Sequence, residues 1–284
     1  MNDHDDIRKE VSSFYGKSVS RPAGGGCCSG PAQKGAVANL AGYSREELDA
    51  LPADAVVNSF GCGNPLAFSD LETGDVVLDL GSGAGIDLLV AAPKVGPTGR
   101  VIGVDMTDEM IAKAKANIAA SGFDNVEVRK GLIEDLPVRS SSVDWVVSNC
   151  VINLSPHKPK VFAEIARVLK PGGRVLISDI VVDDLPQRVR QNKALYTACV
   201  AGAISEAAYL DGLRKAGLED VAVRERLVYE ASQLKAIVGT ELPGGEPASA
   251  PDPGLSDDES IGELIGSIVG KVWSAKFYAR KPGR

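Results

Sequence analysis

The chain is expected to fold as α/β with a mainly parallel central sheet, and three observations lead there. Between Val76 and Asp179 five apolar runs of strand length, VVLDL, RVIGVD, VEVRK, VDWVVSN and RVLISD, alternate with segments of helical period. Near-continuous apolar runs suit strands covered on both faces, as parallel strands are. A glycine-rich string, DLGSGAG at 79–85, directly follows the first run and precedes a helical pattern.

Ahead of this region a charged segment of helical pattern, Asp5 to Tyr15, leads into GGGCCSGP at 24–31, where three successive glycines leave Cys27 and Cys28 on a loop. Ser44 and Glu47 form a capping-box pattern, so a short helix is expected from Arg45 to Ala50. SFGCGNP at 59–65 reads as a turn in which Gly61 and Gly63 give Cys62 little shielding. Thr107 or Asp108 can cap a helix with Met110, Ile111, Ala114 and Ile118 on one face, and Gly122 is placed to end it. A helix from Lys160 to Leu169 is expected to stop at PGG, 171–173. Helical patterns follow at Arg188 to Ala203, which carries Cys199, and at Ser205 to Ala216. Residues 240–260 read as a Pro, Gly, Ser and Asp-rich linker, and Ile261 to Lys281 as a returning strand. The expected organisation is an N-terminal cysteine-bearing arm over 1–70, a core over 71–230, and a linker with a small accessory segment over 231–284. The segment 205–284 could close over the site, pack as a small sheet, or serve assembly.

Composition excludes several functions. Of 284 residues, 44% are hydrophobic and 24% charged, ordinary for a globular chain. A net charge of −7 argues against nucleic acid as a partner, since phosphate binding draws on a basic surface. No run is apolar enough for a membrane span, and five cysteines with no apolar leader point to reduced cytoplasmic thiols. The only histidines are His4, in a terminus expected to lack order, and His157, in a loop, which argues against hydrolytic triads and histidine metal sites. No C-x-x-C pair supports structural zinc. Soft thiolates at Cys62, Cys150 and Cys199 suit a thiophilic metal or metalloid, although free cysteine is more often a small core hydrophobe.

DLGSGAG, VDMTDEM at 104–110 and GLIEDLP at 131–137 together resemble the successive motifs of class I S-adenosylmethionine methyltransferases, a Rossmann-like fold. A nicotinamide-binding unit fits less well, because the third glycine falls one position early, at Gly85. The resemblance implies that Asp79, Gly81 and Gly83 hold the methionine part of the donor, Asp105 and Met106 the ribose and adenine, and Ile133 with Glu134 the adenine edge. Leu132 stands where many members have aspartate, so its neighbours must supply that contact. Asn149 ends the fourth strand, where the methyl-bearing sulfur is expected.

SFGCGNP, SNCVINL at 148–154, the CC doublet and YTACVAGAI at 196–204 resemble arsenite S-adenosylmethionine methyltransferases. That resemblance implies arsenic held by Cys150 and Cys199 with Cys62 as third ligand or relay, and Cys27 or Cys28 as a redox arm. It also implies a thiol reductant, thioredoxin or glutathione, a monomer, and a role in arsenic detoxification. Class I enzymes acting on a quinone or sterol share the 79–137 motifs but give no reason for the thiols. A non-catalytic metalloid-binding protein would have no use for the donor motifs.

Overall fold

The computed structural model describes residues 3–20, 41–61, 63–230, 234 and 261–283. Expectations for Cys27, Cys28, Cys62 and the 240–260 linker lie outside the described residues. Seven strands form one sheet in the order β3-β2-β1-β4-β5-β7-β6. The first five, β1 (Val76–Leu80), β2 (Arg100–Asp105), β3 (Val126–Lys130), β4 (Val143–Asn149) and β5 (Leu169–Val182), pair in parallel. β7 (Val272–Arg280) runs antiparallel between β5 and β6 (Glu219–Val228).

The two-residue period of the strands divides their apolar side chains between two cores. Val77, Val147 and Leu176 face the helix Ile86–Val95, whereas Leu78, Val146 and Ile177 face the helices Lys158–Val168 and Glu206–Lys215. Both faces are covered, which is why these runs are apolar throughout. The strand order reverses between β1 and β4, and the crevice at their C-terminal ends is where sheets of this kind take ligands.

Local signals set several boundaries. Ser44 and Glu47 form the expected capping box on the helix Arg45–Asp49. Thr107 precedes the helix Asp108–Ser121, and Gly122, at φ +73°, ends it. The N-terminal helix is longer than its pattern, Asp3–Ser20, because it packs on the helix Asp108–Ser121, with Gly16 against the Glu109 carboxyl. His4 is therefore helical, its ring 4.2 Å from that of His157.

Three expectations are corrected. The helix ending before PGG is Lys158–Val168, and Pro171 to Gly173 lie inside β5. Gly172, at φ +80°, lets the strand bend, and its N–H donates to Lys281 O while Lys281 N–H donates to Gly173 O. The single helix over 188–203 is instead two short ones, Gln187–Arg190 and Lys193–Thr197, because the Asn192 side chain accepts from Leu195 N–H and starts a new turn. Cys199 lies beyond the second of them, in a turn at φ +60°. Finally, the expected division at 231 does not separate the C-terminal segment from the core sheet. Ile261–Ile268 is helical, and β7 sits inside the sheet because Val272, Ala275, Phe277 and Ala279 are buried there. Among the described residues no helix is long and apolar enough to cross a membrane.

Candidate active site

The glycine turn after β1 opens onto a cleft at the C-terminal ends of β1, β2 and β4. Gly81 and Gly83 take positive φ, +66° and +51°. A Cβ on Gly81 would overlap Val151, whereas one on Gly83 would project into open space, so position 83 leaves room for a ligand to approach the backbone. The turn's own N–H groups are partly spent within it. Gly81 and Ser82 N–H both donate to Val104 O, and Gly83 N–H donates to Asp105 at 3.0 Å.

Three carboxylates gather here. Asp105, at the end of β2, accepts from Gly83 and, at 2.8 Å, from Thr107 N–H, and burial raises its pKa. Asp87, at the second position of the helix Ile86–Val95, accepts from the Tyr43 hydroxyl at 2.8 Å and from the Asn149 amide at 3.2 Å. Burial pushes it up to about 6. Asp79 is buried under the turn, and its pKa is raised well above the ordinary carboxylate value by burial and then by repulsion from Asp87 and Asp105. It does not form part of the cleft wall, whereas Asp87 and Asp105 do. Ser59 Oγ, Asn58 Oδ1 and Ser82 Oγ belong to residues that line the cleft, and each is buried without a hydrogen-bond partner among the described residues. Buried polar atoms normally have partners. Mutually repelling carboxylates beside orphaned polar atoms suit a ligand with cationic and hydrogen-bonding groups.

The far wall is formed by Met106, Leu132, Ile133 and Glu134. Glu134 accepts from Ser155 Oγ at 2.7 Å and from Arg8 of the N-terminal helix at 3.2 Å. Tyr15 of the same helix packs edge-on against Phe60 and donates to Thr197 O at 2.8 Å. The N-terminal helix therefore spans the cleft from Glu134 to the turn that carries Cys199.

Cys150 follows the last residue of β4, lines the cleft and is disulfide-bonded. Cys199 Sγ donates to Cys150 O at 2.6 Å, although Cys199 is not itself part of the cleft wall. Both cysteines have left-handed backbone, φ +57° and +60°, a conformation that costs a non-glycine residue roughly 1 kcal/mol. Such strain persists where surrounding structure enforces it.

Several residues of this site carry no signal in the motifs. Tyr43 and Asp87 look like a helix-leading tyrosine and a first-turn acid, for which the helix dipole is sufficient explanation. Beneath the cysteines, buried Asp179 accepts from Tyr209 Oη and Asn153 Nδ2, each at 2.8 Å. Lys158 Nζ donates to Asn153 O and Ser155 O, and burial lowers its pKa.

An arsenite methyltransferase of Halobacterium salinarum is 48% identical over 200 residues, covering 70% of this chain and 51% of that protein. The human arsenite methyltransferase is 35% identical over 70% of this chain and 54% of its own length. The chain thus spans about half the length of the curated relatives it matches. An arsenic(III) S-adenosylmethionine methyltransferase from Chlamydomonas reinhardtii superposes with TM-score 0.58 at 31% identity, over 89% of this chain and 74% of that one. The fold is the Rossmann-like class I methyltransferase fold. With the methyltransferase-domain profile matching residues 71–225, more than half of its length, this chain belongs to the methyltransferase-domain family.

Proposed function

We propose that this chain methylates arsenite, taking the methyl group from S-adenosylmethionine. The observation that carries the reading is the position of Cys150, which closes β4 at the cleft wall that Asp87 and Asp105 share, with the Cys199 sulfur bonded to its carbonyl. The names of its relatives support the same reading.

In this reading the turn at Gly81 and Gly83 serves the methionine end of the donor with Asp79 acting from behind the cleft wall, Asp105 and Met106 hold the ribose and adenine, and Ile133 and Glu134 the adenine edge. When bound, S-adenosylmethionine supplies an electrophilic sulfonium methyl, and As(III), as substrate, offers the lone pair that accepts it. The carboxylates balance the donor's positive charge, and their burial strengthens such interactions. Cys150, Cys199 and Cys62 hold the thiophilic substrate, so catalysis consists mainly of positioning. Methyl transfer raises arsenic to the pentavalent state; two thiols return two electrons and close a disulfide. An external dithiol or glutathione must then reopen it. The disulfide at Cys150 supports that redox duty, with Cys27 or Cys28 as relay. Residues 71–230 would carry the donor site and 1–70 the relay arm.

The direct test is to incubate the purified chain with arsenite, S-adenosylmethionine and glutathione or thioredoxin. Methylarsenicals are expected by chromatography with arsenic detection. Their absence from a preparation that binds the donor would reject the reading.

A second expectation concerns pH. Asp87, at about 6, must ionise to attract the donor's cationic groups. Donor binding lowers that pKa, so binding releases protons and weakens as pH falls through about 6. Calorimetry in buffers of different ionisation enthalpy checks this, and Asp87→Asn should weaken the dependence, leaving the part carried by Asp79 and Asp105, whose pKa values are also raised. A pH-independent Kd would separate Asp87 from the ligand's charge.

A further inference from the structure

We propose that Asn149 is a positioning residue that ties the 59–64 turn to the donor-site carboxylate Asp87. The functional meaning of this tie rests on the arsenite reading above, because Cys62 lies in that stretch of sequence. The tie itself does not.

Asn149 ends β4, one residue before Cys150. Its Oδ1 accepts from Gly63 N–H at 3.2 Å, and its Nδ2 donates to Gly63 O. One side chain thus engages both backbone groups of one residue, as a neighbouring strand would. The same Nδ2 lies 3.1 Å from Tyr43 Oη and 3.2 Å from Asp87 Oδ2. Tyr43 closes the figure by donating to Asp87 Oδ1 at 2.8 Å. An amide nitrogen carries two hydrogens, so these three acceptors share them.

The flanking glycines fit the same purpose. A Cβ on Gly61 would overlap the Asn149 amide, and one on Gly63 would overlap Ser178 Oγ of β5. Neither glycine has positive φ, so close approach to the strand ends explains them rather than backbone freedom. The turn and the carboxylate beside the donor form one hydrogen-bonded unit. A change at Asp87 when a cation binds therefore reaches the turn without crossing solvent.

Hydrogen exchange followed by mass spectrometry tests this without relying on activity. In the wild type, peptides containing Gly63 should be protected and become more so with S-adenosylmethionine. In Asn149→Ala their exchange should speed up by about tenfold, with the donor effect lost there and kept in peptides covering 79–85. Measured at about pH 8, where Asp87 is ionised without help from the amide, calorimetric Kd for the donor should change by less than about threefold, while kcat/KM for arsenite falls by about a hundredfold. Asn149→Asp matches the native residue in size yet should fall further, because it sets a second carboxylate against Asp87. Gly61→Ala keeps Asn149 but displaces its amide, so it should reproduce the loss and add little on top of Asn149→Ala. Unchanged exchange at Gly63 in both variants overturns the inference. So does a weakened donor Kd with unaltered arsenite kinetics, which would make Asn149 a direct donor contact. A wild type that makes no methylarsenical rejects the arsenite reading, and the exchange data still decide the tie.

Discussion

Cys199→Ser and Cys150→Ser should each lose arsenite methylation by roughly a hundredfold or more while binding S-adenosylmethionine as tightly as the wild type. A hydroxyl is close in size to a thiol and can still donate to the Cys150 carbonyl, so the Cys199 turn should survive the change. What serine lacks is thiophilic chemistry, because an oxygen ligand does not replace a soft thiolate toward arsenic. Glycine gives a sharper version of the test at position 199. With φ at +60°, glycine removes strain of roughly 1 kcal/mol, offset by a small cavity at a buried position and by greater freedom of the unfolded chain. Cys199→Gly should therefore melt close to the wild type and yet be inactive. Steady-state assays, donor calorimetry and thermal melts decide it together. Substantial methylation by either serine variant would remove that cysteine from the substrate site. A large loss of stability in Cys199→Gly would show that packing, rather than chemistry, keeps a cysteine there.

The sheet was legible wherever side-chain period and covering helices act together. All five parallel strands coincide with the apolar runs, and only β5 extends beyond its run, because Gly172 allows PGG to continue rather than end the ladder. β6 and β7 were harder to read. β6 is largely exposed at the sheet edge and carries few core residues, so its apolar signal is weak. β7 reads as a strand, but its place between β5 and β6 comes from long-range pairing that no local pattern encodes.

The candidate site divides in the same way. Asp105, Gly83, Ile133 and Cys150 meet at one cleft because each ends or follows a strand of the same sheet, so order along the chain brings them together. Asp87 and Tyr43 are 44 residues apart and meet only through tertiary packing. Cys199 was misplaced onto a helix because the apolar period continues across Asn192, where a side-chain cap interrupts the backbone.

Asp179→Leu should destabilise the fold by about 3 kcal/mol, whereas Asp179→Asn should cost less than about 1 kcal/mol near neutral pH. Asp179 is fully buried and accepts from Tyr209 Oη, Asn153 Nδ2 and Ile180 N–H. Leucine leaves all three donors without that partner in the interior, while asparagine keeps one acceptor oxygen and can donate to the tyrosine hydroxyl in return. Burial pushes Asp179 up to about 7 from 3.8, against the opposing pull of its donors and Lys158. A carboxyl whose folded pKa is raised contributes stability that is complete below its unfolded pKa and is lost as pH climbs through about 7. Asparagine does not titrate, so urea melts across this range should show the wild type losing stability relative to Asp179→Asn as pH rises. Identical slopes would mean that the network carries no such charge. The network also bears on the cysteines, since Asn153 lies three residues beyond Cys150 and its carbonyl packs against Gly202, three beyond Cys199. Any Asp179→Leu protein that still folds should therefore methylate poorly while binding the donor normally, because the anchored segments are the ones that present both sulfurs.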